Sequence, residues 1–315
     1  MDIKNLFTEE VTVKGNLIYL QSESSFENQQ QTNDVFSEKW KKVDEKDSLD
    51  KLYEFQYDWY FKLYGFEGKE GLREFLTNKK VIFDAGCGLG YKAALFAELA
   101  PSSTVIGMDF SDSAIIAAEK YAHLPNLYFI QGDIAASKLK SGSIDYVSCD
   151  QVIMHTENPE KTFQHLSSLL KRDGEFACYV YSKKALPREL VDDYFRKAAG
   201  NFSHKELWEF SQQLTTLGKN LSELNVQFTS PDIPLLGIKG GEYDVQRFIY
   251  WNFLKCFWKE DWGMELCNST NFDWYAPSNA KRYSEEEYKN MIIANNLEII
   301  YFHKEEACYS GRFKK

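Results

Sequence analysis

The sequence predicts an α/β fold in which a doubly wound, mostly parallel sheet carries helices on both faces. From residue 79 onward, apolar runs typical of buried strands alternate with segments of helical periodicity. Strands that alternate with helices in this way form parallel sheets covered on both faces. Four of the apolar runs also close on an aspartate, and open α/β sheets bind ligands beyond the carboxyl ends of their strands. We therefore expect a polar ligand at that edge of the sheet.

Seven strands can be assigned in chain order. The first five are VIFDA (81–85), TVIGMD (104–109), LYFIQGD (127–133), IDYVSCD (144–150) and EFACYVYS (175–182). The helical segments YKAALFAELA, SDSAIIAAEKYAH and PEKTFQHLSSLLK lie between them, with apolar residues three and four positions apart. A helix predicted over 284–296 leads to the last two strand-like runs, at 297–305 and 307–314.

The chain divides into four segments. Residues 1–78 form an N-terminal extension, with hairpin-like alternation over 1–22 and lid helices predicted over 48–63 and 69–78. The ligand-binding core is expected over 79–182. An aromatic-rich insertion at 183–283 contains helical pieces at 186–199, 204–223 and 243–258, and we expect it to bind the substrate. Residues 284–315 then complete the core with the last helix and strand pair.

Composition excludes several classes of protein. The net charge of −10 over 315 residues disfavours a broad nucleic-acid interface, which needs clustered Lys and Arg. The N-terminus lacks the apolar core of a signal peptide, and no run approaches the ~20 apolar residues that span a bilayer. We therefore expect a soluble cytoplasmic protein. The six cysteines form no C-x-x-C pair, which predicts reduced, packed thiols and no metal site.

The stretch DAGCGLG at 84–90 joins the first strand to the first helix of the core. Its glycines leave the backbone bare where a helix N-terminus can approach a ligand. The spacing is G-x-G-x-G, because Tyr91 stands where a dinucleotide-binding G-x-G-x-x-G motif continues. Asp84 repels a diphosphate and attracts a cationic amino-acid group, while Asp109 is placed to accept from ribose hydroxyls. The pattern indicates a nucleoside joined to a positively charged amino-acid tail.

Five motifs occur in the order DAGCGLG, MDFS, QGDI, IDYVSCDQVIMHTENPEKTF and LLKRDGEF. In this order they resemble the motifs of the class I S-adenosylmethionine-dependent methyltransferases, in particular the group that acts on small molecules. The resemblance covers about residues 79–182 and the final helix and strand pair. It implies a Rossmann-like, seven-stranded sheet whose last strand is antiparallel. It also implies S-adenosylmethionine as the cofactor and S-adenosylhomocysteine as the product.

The resemblance assigns the cofactor contacts by position. The methionine part is expected at Asp84 and at the backbone of Ala85, Gly86 and Gly88. The ribose is expected at Asp109 and the adenine at Phe110, Asp133 and Ile134. Asp150 and Gln151 are expected to line the sulfonium side. Each aspartate can instead cap the helix that follows its strand, because Asp is a favoured N-cap residue.

Methyl transfer from a sulfonium requires mainly alignment and exclusion of water, with a base only where the acceptor arrives protonated. His155 follows the fourth strand and is the candidate base, the alternative being a histidine that only lines the pocket. Tyr181 ends the fifth strand and is expected to face the acceptor. In the insertion, Arg247, Trp274 and Tyr275 are the candidate substrate contacts, although aromatic stripes are often simply core.

The resemblance points first to a methyltransferase acting on a small organic acceptor, with no expected nucleic-acid partner. An RNA or protein methyltransferase remains an alternative. So does a non-catalytic, S-adenosylmethionine-binding subunit of a methyltransferase complex. A nicotinamide-dependent oxidoreductase is disfavoured by Tyr91 and Asp84.

Overall fold

The computed structural model describes residues 2–21, 49–200 and 202–315, and the chain folds as two compact units. Unit 1 comprises Met1–Tyr181 and Lys281–Lys315, and unit 2 comprises Ser182–Ala280. The sequence-based boundaries for the insertion were 183 and 283. Unit 1 contains the large sheet, and unit 2 is mainly helical.

The strands follow one another in chain order through both units. They are β1 Thr12–Lys14, β2 Leu17–Tyr19, β3 Val81–Ala85, β4 Thr104–Asp109, β5 Leu127–Gln131, β6 Ile144–Cys149, β7 Leu170–Ser182, β8 Gln227–Ser230, β9 Gly241–Asp244, β10 Arg282–Tyr283, β11 Glu298–Lys304 and β12 Cys308–Lys314. The helices are α1 Leu49–Tyr64, α2 Gly68–Leu76, α3 Tyr91–Leu99, α4 Ser113–Lys120, α5 Pro159–Leu169, α6 Leu186–Ala199, α7 His204–Glu223, α8 Val245–Asn252, α9 Gly263–Tyr275 and α10 Glu285–Ala294.

The large sheet confirms the predicted fold class. Its order is β1-β2-β5-β4-β3-β6-β7-β12-β11, with β10 paired to β7. Neighbours from β2 to β7 pair in parallel, whereas β12 runs antiparallel to both β7 and β11. The seven predicted strands are the neighbours β5, β4, β3, β6, β7, β12 and β11 of this sheet. The N-terminal hairpin extends the sheet because β2 pairs with β5 and covers what is otherwise an open edge.

Helices cover both faces of the sheet, as the continuous apolar runs of its strands require. All five residues of β3 are buried. One face packs a hydrophobic cluster that includes Phe163, Phe176 and Phe313. The other packs a cluster that includes Phe96 and Phe129. Side chains from the strands therefore form a core on each side, and the strand ends remain available for a site.

Helix α1 ends against the two last strands of the chain. The final carbonyls of a helix lack partners within the helix and must find them elsewhere. Here the Ser310 hydroxyl donates to the Leu63 carbonyl at 2.8 Å, and Arg312 Nε donates to the Tyr64 carbonyl at 2.8 Å. The predicted lid helix is thereby fixed at its C-terminal end to β12.

Unit 2 consists of helices α6 to α9 and the β8–β9 hairpin. The sequence predicted a helix over 243–258, and this prediction was too long. The helix is confined to Val245–Asn252, because the Asp244 side chain caps it by accepting from the Arg247 N–H, and residues 241–244 form β9 instead. In the interior of unit 2, Asn271 Nδ2 donates to the Thr215 hydroxyl at 2.8 Å, and this hydrogen bond links α9 to α7.

All six cysteines lie among the described residues, where they are buried and form no disulfide. Within residues 2–21, 49–200 and 202–315, no helix is long and apolar enough to cross a membrane. The cytoplasmic location stays a prediction.

Candidate active site

The glycine turn joins β3 to α3 in a conformation that favours glycine. Gly86, Gly88 and Gly90 have φ values of +83°, +51° and +77°. A Cβ at Gly86 would overlap the Val152 side chain, and one at Gly90 would lie 2.8 Å from the Phe129 ring. The packing of the protein itself therefore requires glycine at 86 and 90, in addition to any approach of a ligand.

Asp109, at the end of β4, is hydrogen-bonded to the glycine turn. Its Oδ2 accepts from the Gly88 N–H at 2.8 Å. Its Oδ1 accepts from the Ser111 N–H at 2.9 Å and from the Ser111 hydroxyl at 2.6 Å. Since a carboxylate offers about four acceptor positions, these three bonds leave one for a ligand hydroxyl. The side chain is half-buried, so that position can be reached.

Asp84 is the unsatisfied group of the site. It is only 1% exposed, and neither carboxylate oxygen has a hydrogen-bond partner of standard geometry. Burial raises the pKa of Asp84 to about 6, and the nearby Asp150 adds to the rise, while the Lys92 ammonium and the Ser148 hydroxyl oppose it. A buried carboxylate without a partner is costly, and a ligand cation removes that cost.

Asp150, after β6, is already neutralised from within the protein. Lys92 Nζ lies 2.6 Å from its Oδ2, and the Tyr64 hydroxyl donates to its Oδ1 at 2.7 Å. Burial alone lowers the pKa of Lys92, but the carboxylates of Asp150 and Asp84 reverse this and raise it above its usual value. Asp84 is therefore the carboxylate in this group that is left for a cationic ligand.

Sequence reasoning did not identify Lys92 or Tyr64. The available signal was the lysine in YKAALFA, an otherwise apolar helix start in which a charged side chain must be paired if it is buried. Gln151 lies beside the same group and has a positive φ of 63°. Its amide donates to Asp150 Oδ2 at 3.2 Å and to Gln56 Oε1 at 3.4 Å. The loop after β6 is therefore linked to α1.

The residues expected around the adenine follow β4 and β5. Asp133 Oδ1 accepts from the Ala135 N–H at 2.8 Å, which is the capping role that had been the alternative. Burial raises the pKa of Asp133, and the Ala135 N–H opposes the rise. Ile134 is buried in the core, and Phe110 is half-buried. Their contacts with adenine stay predictions.

His155 and Tyr181 lie together at the carboxyl ends of β6 and β7. His155 ends a short helical turn, Ile153–His155, and its Nε2 lies 3.3 Å from the Tyr181 hydroxyl. The two rings are perpendicular, with centroids 5.5 Å apart. The Tyr179 ring lies between those of Tyr181 and Trp59 of α1, with its centroid 5.9 Å from the first and 6.1 Å from the second. The sequence placed the first two residues separately, and the structure brings them into contact.

The three substrate candidates of the insertion all lie in unit 2. Trp274 Nε1 and the Tyr275 hydroxyl donate to the two oxygens of buried Asp192, at 2.8 and 2.7 Å. The Arg247 guanidinium lies over the ring of Tyr250, 5.6 Å from its centroid. Trp274 and Tyr275 are buried, so their polar atoms are engaged within unit 2. A role in acceptor binding stays a prediction for all three.

A family model described as a methyltransferase domain matches residues 76–245, more than half of the chain. The chain belongs to this methyltransferase family. The match covers the glycine turn, all four strand-end aspartates and His155.

The chain is similar in sequence to two ubiquinone biosynthesis O-methyltransferases. The mitochondrial ubiquinone biosynthesis O-methyltransferase of Schizosaccharomyces pombe is 32% identical over 124 residues, which are 38% of this chain and 44% of that protein. The ubiquinone biosynthesis O-methyltransferase of Coxiella burnetii is 25% identical over 192 residues, 58% of this chain and 78% of that protein. The chain thus covers less than half of the yeast relative.

Among solved structures, magnesium protoporphyrin IX methyltransferase from Synechocystis with bound S-adenosylhomocysteine aligns with a TM-score of 0.46 and 14% identity. That alignment covers 91% of this chain and 98% of the other.

The methyl donor of this methyltransferase family is S-adenosylmethionine, which confirms the predicted cofactor. The residues present fit it. S-adenosylmethionine carries an ammonium, a sulfonium and a carboxylate, and hence one net positive charge. The buried group of Asp84, Lys92 and Asp150 carries one net negative charge when all three are ionised. The two charges complement each other.

Proposed function

We propose that the protein transfers the methyl group of S-adenosylmethionine to a small organic acceptor. The observation that carries this proposal is Asp84, a buried carboxylate beside the glycine turn whose two oxygens have no hydrogen-bond partner of standard geometry. Its neighbour Asp150 is paired with Lys92, so Asp84 alone is left to receive a cation. Names of relatives support a small acceptor, since both described above act in ubiquinone biosynthesis.

The residues of unit 1 have separate tasks in this proposal. Asp84 binds the ammonium, and Asp109 accepts from a ribose hydroxyl while it holds the glycine turn through Gly88. When bound, the cofactor supplies an electrophilic methyl group on a sulfonium, a good leaving group. The protein therefore has mainly to align the acceptor in line with that methyl and to exclude water.

His155 is the proposed base. A neutral imidazole can take a proton from the acceptor at one ring nitrogen, which is the role proposed for His155. The Tyr181 hydroxyl at 3.3 Å from Nε2 orients the ring. The relatives named as O-methyltransferases favour a hydroxyl as the accepting group. A hydroxyl is also the acceptor for which removal of a proton matters most.

The experiment is an assay of S-adenosylhomocysteine release from S-adenosylmethionine with a panel of phenols, amines and carboxylic acids. We expect turnover with at least one of them. His155→Gln should then lower kcat by ~10²-fold or more, and the loss should shrink at high pH for acceptors that ionise by themselves. His123→Gln, on an exposed histidine of unit 1, is the matched control and should keep normal rates.

Three results would contradict the proposal or its details. A protein that binds the cofactor but methylates no small molecule, only an RNA or a protein, belongs to the alternative class. A protein that binds it and methylates nothing is a non-catalytic subunit. A normal kcat in folded His155→Gln would refute the role of His155 as the base, but not the proposed methyl transfer.

A further inference from the structure

Three cationic side chains surround the ring of Tyr250 in unit 2. The Arg188 guanidinium lies 5.4 Å from the ring centroid, the Arg247 guanidinium 5.6 Å and the Lys255 ammonium 5.4 Å. We call Arg188, Arg247, Lys255 and Tyr250 the Tyr250 cluster. Like charges at such distances repel one another, so their convergence on one ring requires compensation.

One carboxylate compensates part of this charge. Asp192 is fully buried, and Arg188 Nε lies 2.7 Å from its Oδ2. Trp274 and Tyr275 also donate to this carboxylate. In the part of the chain that the structure describes, no carboxylate pairs with Arg247 or Lys255. The cluster is thus left with an excess of positive charge.

Lys255 shows this excess most clearly. The residue is only 7% exposed, and its ammonium donates to one neutral group, the Tyr250 hydroxyl, at 3.3 Å. Its other contacts are with aromatic rings: Nζ lies 4.9 Å from the ring centroid of Trp274, 5.4 Å from that of Tyr250 and 6.0 Å from that of Phe257. An ammonium has three donors, and a buried cation without a counter-charge is costly. Such a group is poised to bind an anion.

The charges of Arg188, Arg247 and Lys255 also act together on the buried thiol of Cys256. Burial raises the pKa of the Cys256 thiol to about 11, and Arg188, Arg247 and Lys255 each oppose that rise. Cys256 adjoins Lys255 in the chain, and its carbonyl accepts from the Gln246 amide at 2.8 Å. The positive field of the cluster is therefore concentrated in one region of unit 2.

We propose that Arg247 and Lys255 bind the anionic group, a carboxylate or a phosphate, of a small organic molecule. Arginine presents a planar fork that binds either group through two hydrogen bonds, and lysine adds a point charge. Phe257 is half-buried and lies 5.6 Å from the Arg247 guanidinium, so its ring supplies aromatic surface for the apolar part of the ligand. Resting on the proposed function, this makes the methyl acceptor an organic acid or a phosphate ester.

The competing explanation is that contacts between cations and aromatic rings stabilise the cluster without any ligand. The test is calorimetric titration of the full-length protein with inorganic phosphate and, separately, with benzoate, in a buffer free of other polyvalent anions. Wild type should bind at least one probe. Arg247→Gln and Lys255→Met should each weaken that binding about tenfold or more. Arg247 is half-buried, so its variant tests the site even where Lys255→Met does not fold.

The matched control is Lys205→Gln, which removes an exposed cation of the same unit and should leave binding unchanged. Binding of phosphate alone assigns a phosphate ester, and binding of benzoate alone assigns a carboxylic acid. Failure of both probes to bind wild type overturns the proposal, as does an equal loss in Lys205→Gln. Titration of the same samples with S-adenosylhomocysteine separates the two proposals, because a protein that binds the anion and not the cofactor refutes only the proposed function.

Discussion

At the scale of the residue, Asp84 is the group whose behaviour depends most on a ligand. Burial raises the pKa of this carboxyl from 3.8 to about 6, and neither of its oxygens has a hydrogen-bond partner of standard geometry. The folded state thus holds this proton more tightly than the unfolded chain does. The contribution of Asp84 to stability is full below pH ~4 and is lost as the pH rises to about 6, by roughly 3 kcal/mol.

Cofactor binding should show the opposite pH dependence. A ligand ammonium favours the ionised carboxylate, so the affinity for S-adenosylhomocysteine should rise with pH through about 6 and then level off. Asp84→Asn should bind more weakly at pH 7.5 and lose this dependence, as measured by calorimetric titration between pH 5 and 7.5. Asp173→Asn, at an exposed carboxylate, should keep the wild-type profile. A wild-type affinity that is flat over this range would refute the role of Asp84.

At the scale of the element, helices α1 and α3 meet at the loop that follows β6. Helix α3 carries Lys92 and α1 carries Tyr64, and both side chains bond to Asp150. The Lys92 ammonium also lies 5.5 Å from the centroid of the Tyr91 ring. A buried ion pair is weak support for stability as a whole, but loss of one partner leaves a buried charge.

Lys92→Met should therefore destabilise the protein by about 3–5 kcal/mol, because Asp150 remains buried without its counter-charge. Adding Asp150→Asn should recover most of that loss, since the second substitution removes the unpaired charge. Urea unfolding of the single and double variants measures both values. Lys161→Met, on the exposed side of α5, should change stability by no more than about 0.5 kcal/mol. Additive losses in the double variant would contradict the pairing.

The strands and helices of unit 1 could be predicted because their signals are local. Apolar alternation, helical periodicity and an aspartate at a strand end each lie within a few neighbouring residues. The pairing of Lys92 with Asp150 joins positions 58 residues apart, and that of Trp274 with Asp192 joins positions 82 apart. No local pattern carries such contacts. For the same reason the hairpin near the N-terminus could be predicted, but its pairing with β5 could not.

At the scale of the whole molecule, the two units differ in the chemistry they contain. Unit 1 holds the glycine turn, the strand-end aspartates and the His155–Tyr181 pair. Unit 2 holds the Tyr250 cluster and the buried Asp192 with its donors. The predicted division, with cofactor residues in the sheet and acceptor residues in the insertion, stays a prediction. Alanine at Trp274 or Tyr275 is a poor test of it, because either change leaves Asp192 with fewer donors.

We propose that unit 1 binds S-adenosylmethionine through the residues at its strand ends. The most direct measurement is calorimetric titration of S-adenosylmethionine into wild type, Asp109→Ala and Tyr275→Phe, each checked for folding by circular dichroism. We expect wild type to bind and Asp109→Ala to lose ~1.5–3 kcal/mol, since a hydrogen bond to a charged group and the tie to Gly88 are both removed. Tyr275→Phe, in unit 2, should bind within about twofold of wild type. No binding by wild type, or unchanged affinity in folded Asp109→Ala, would contradict the account.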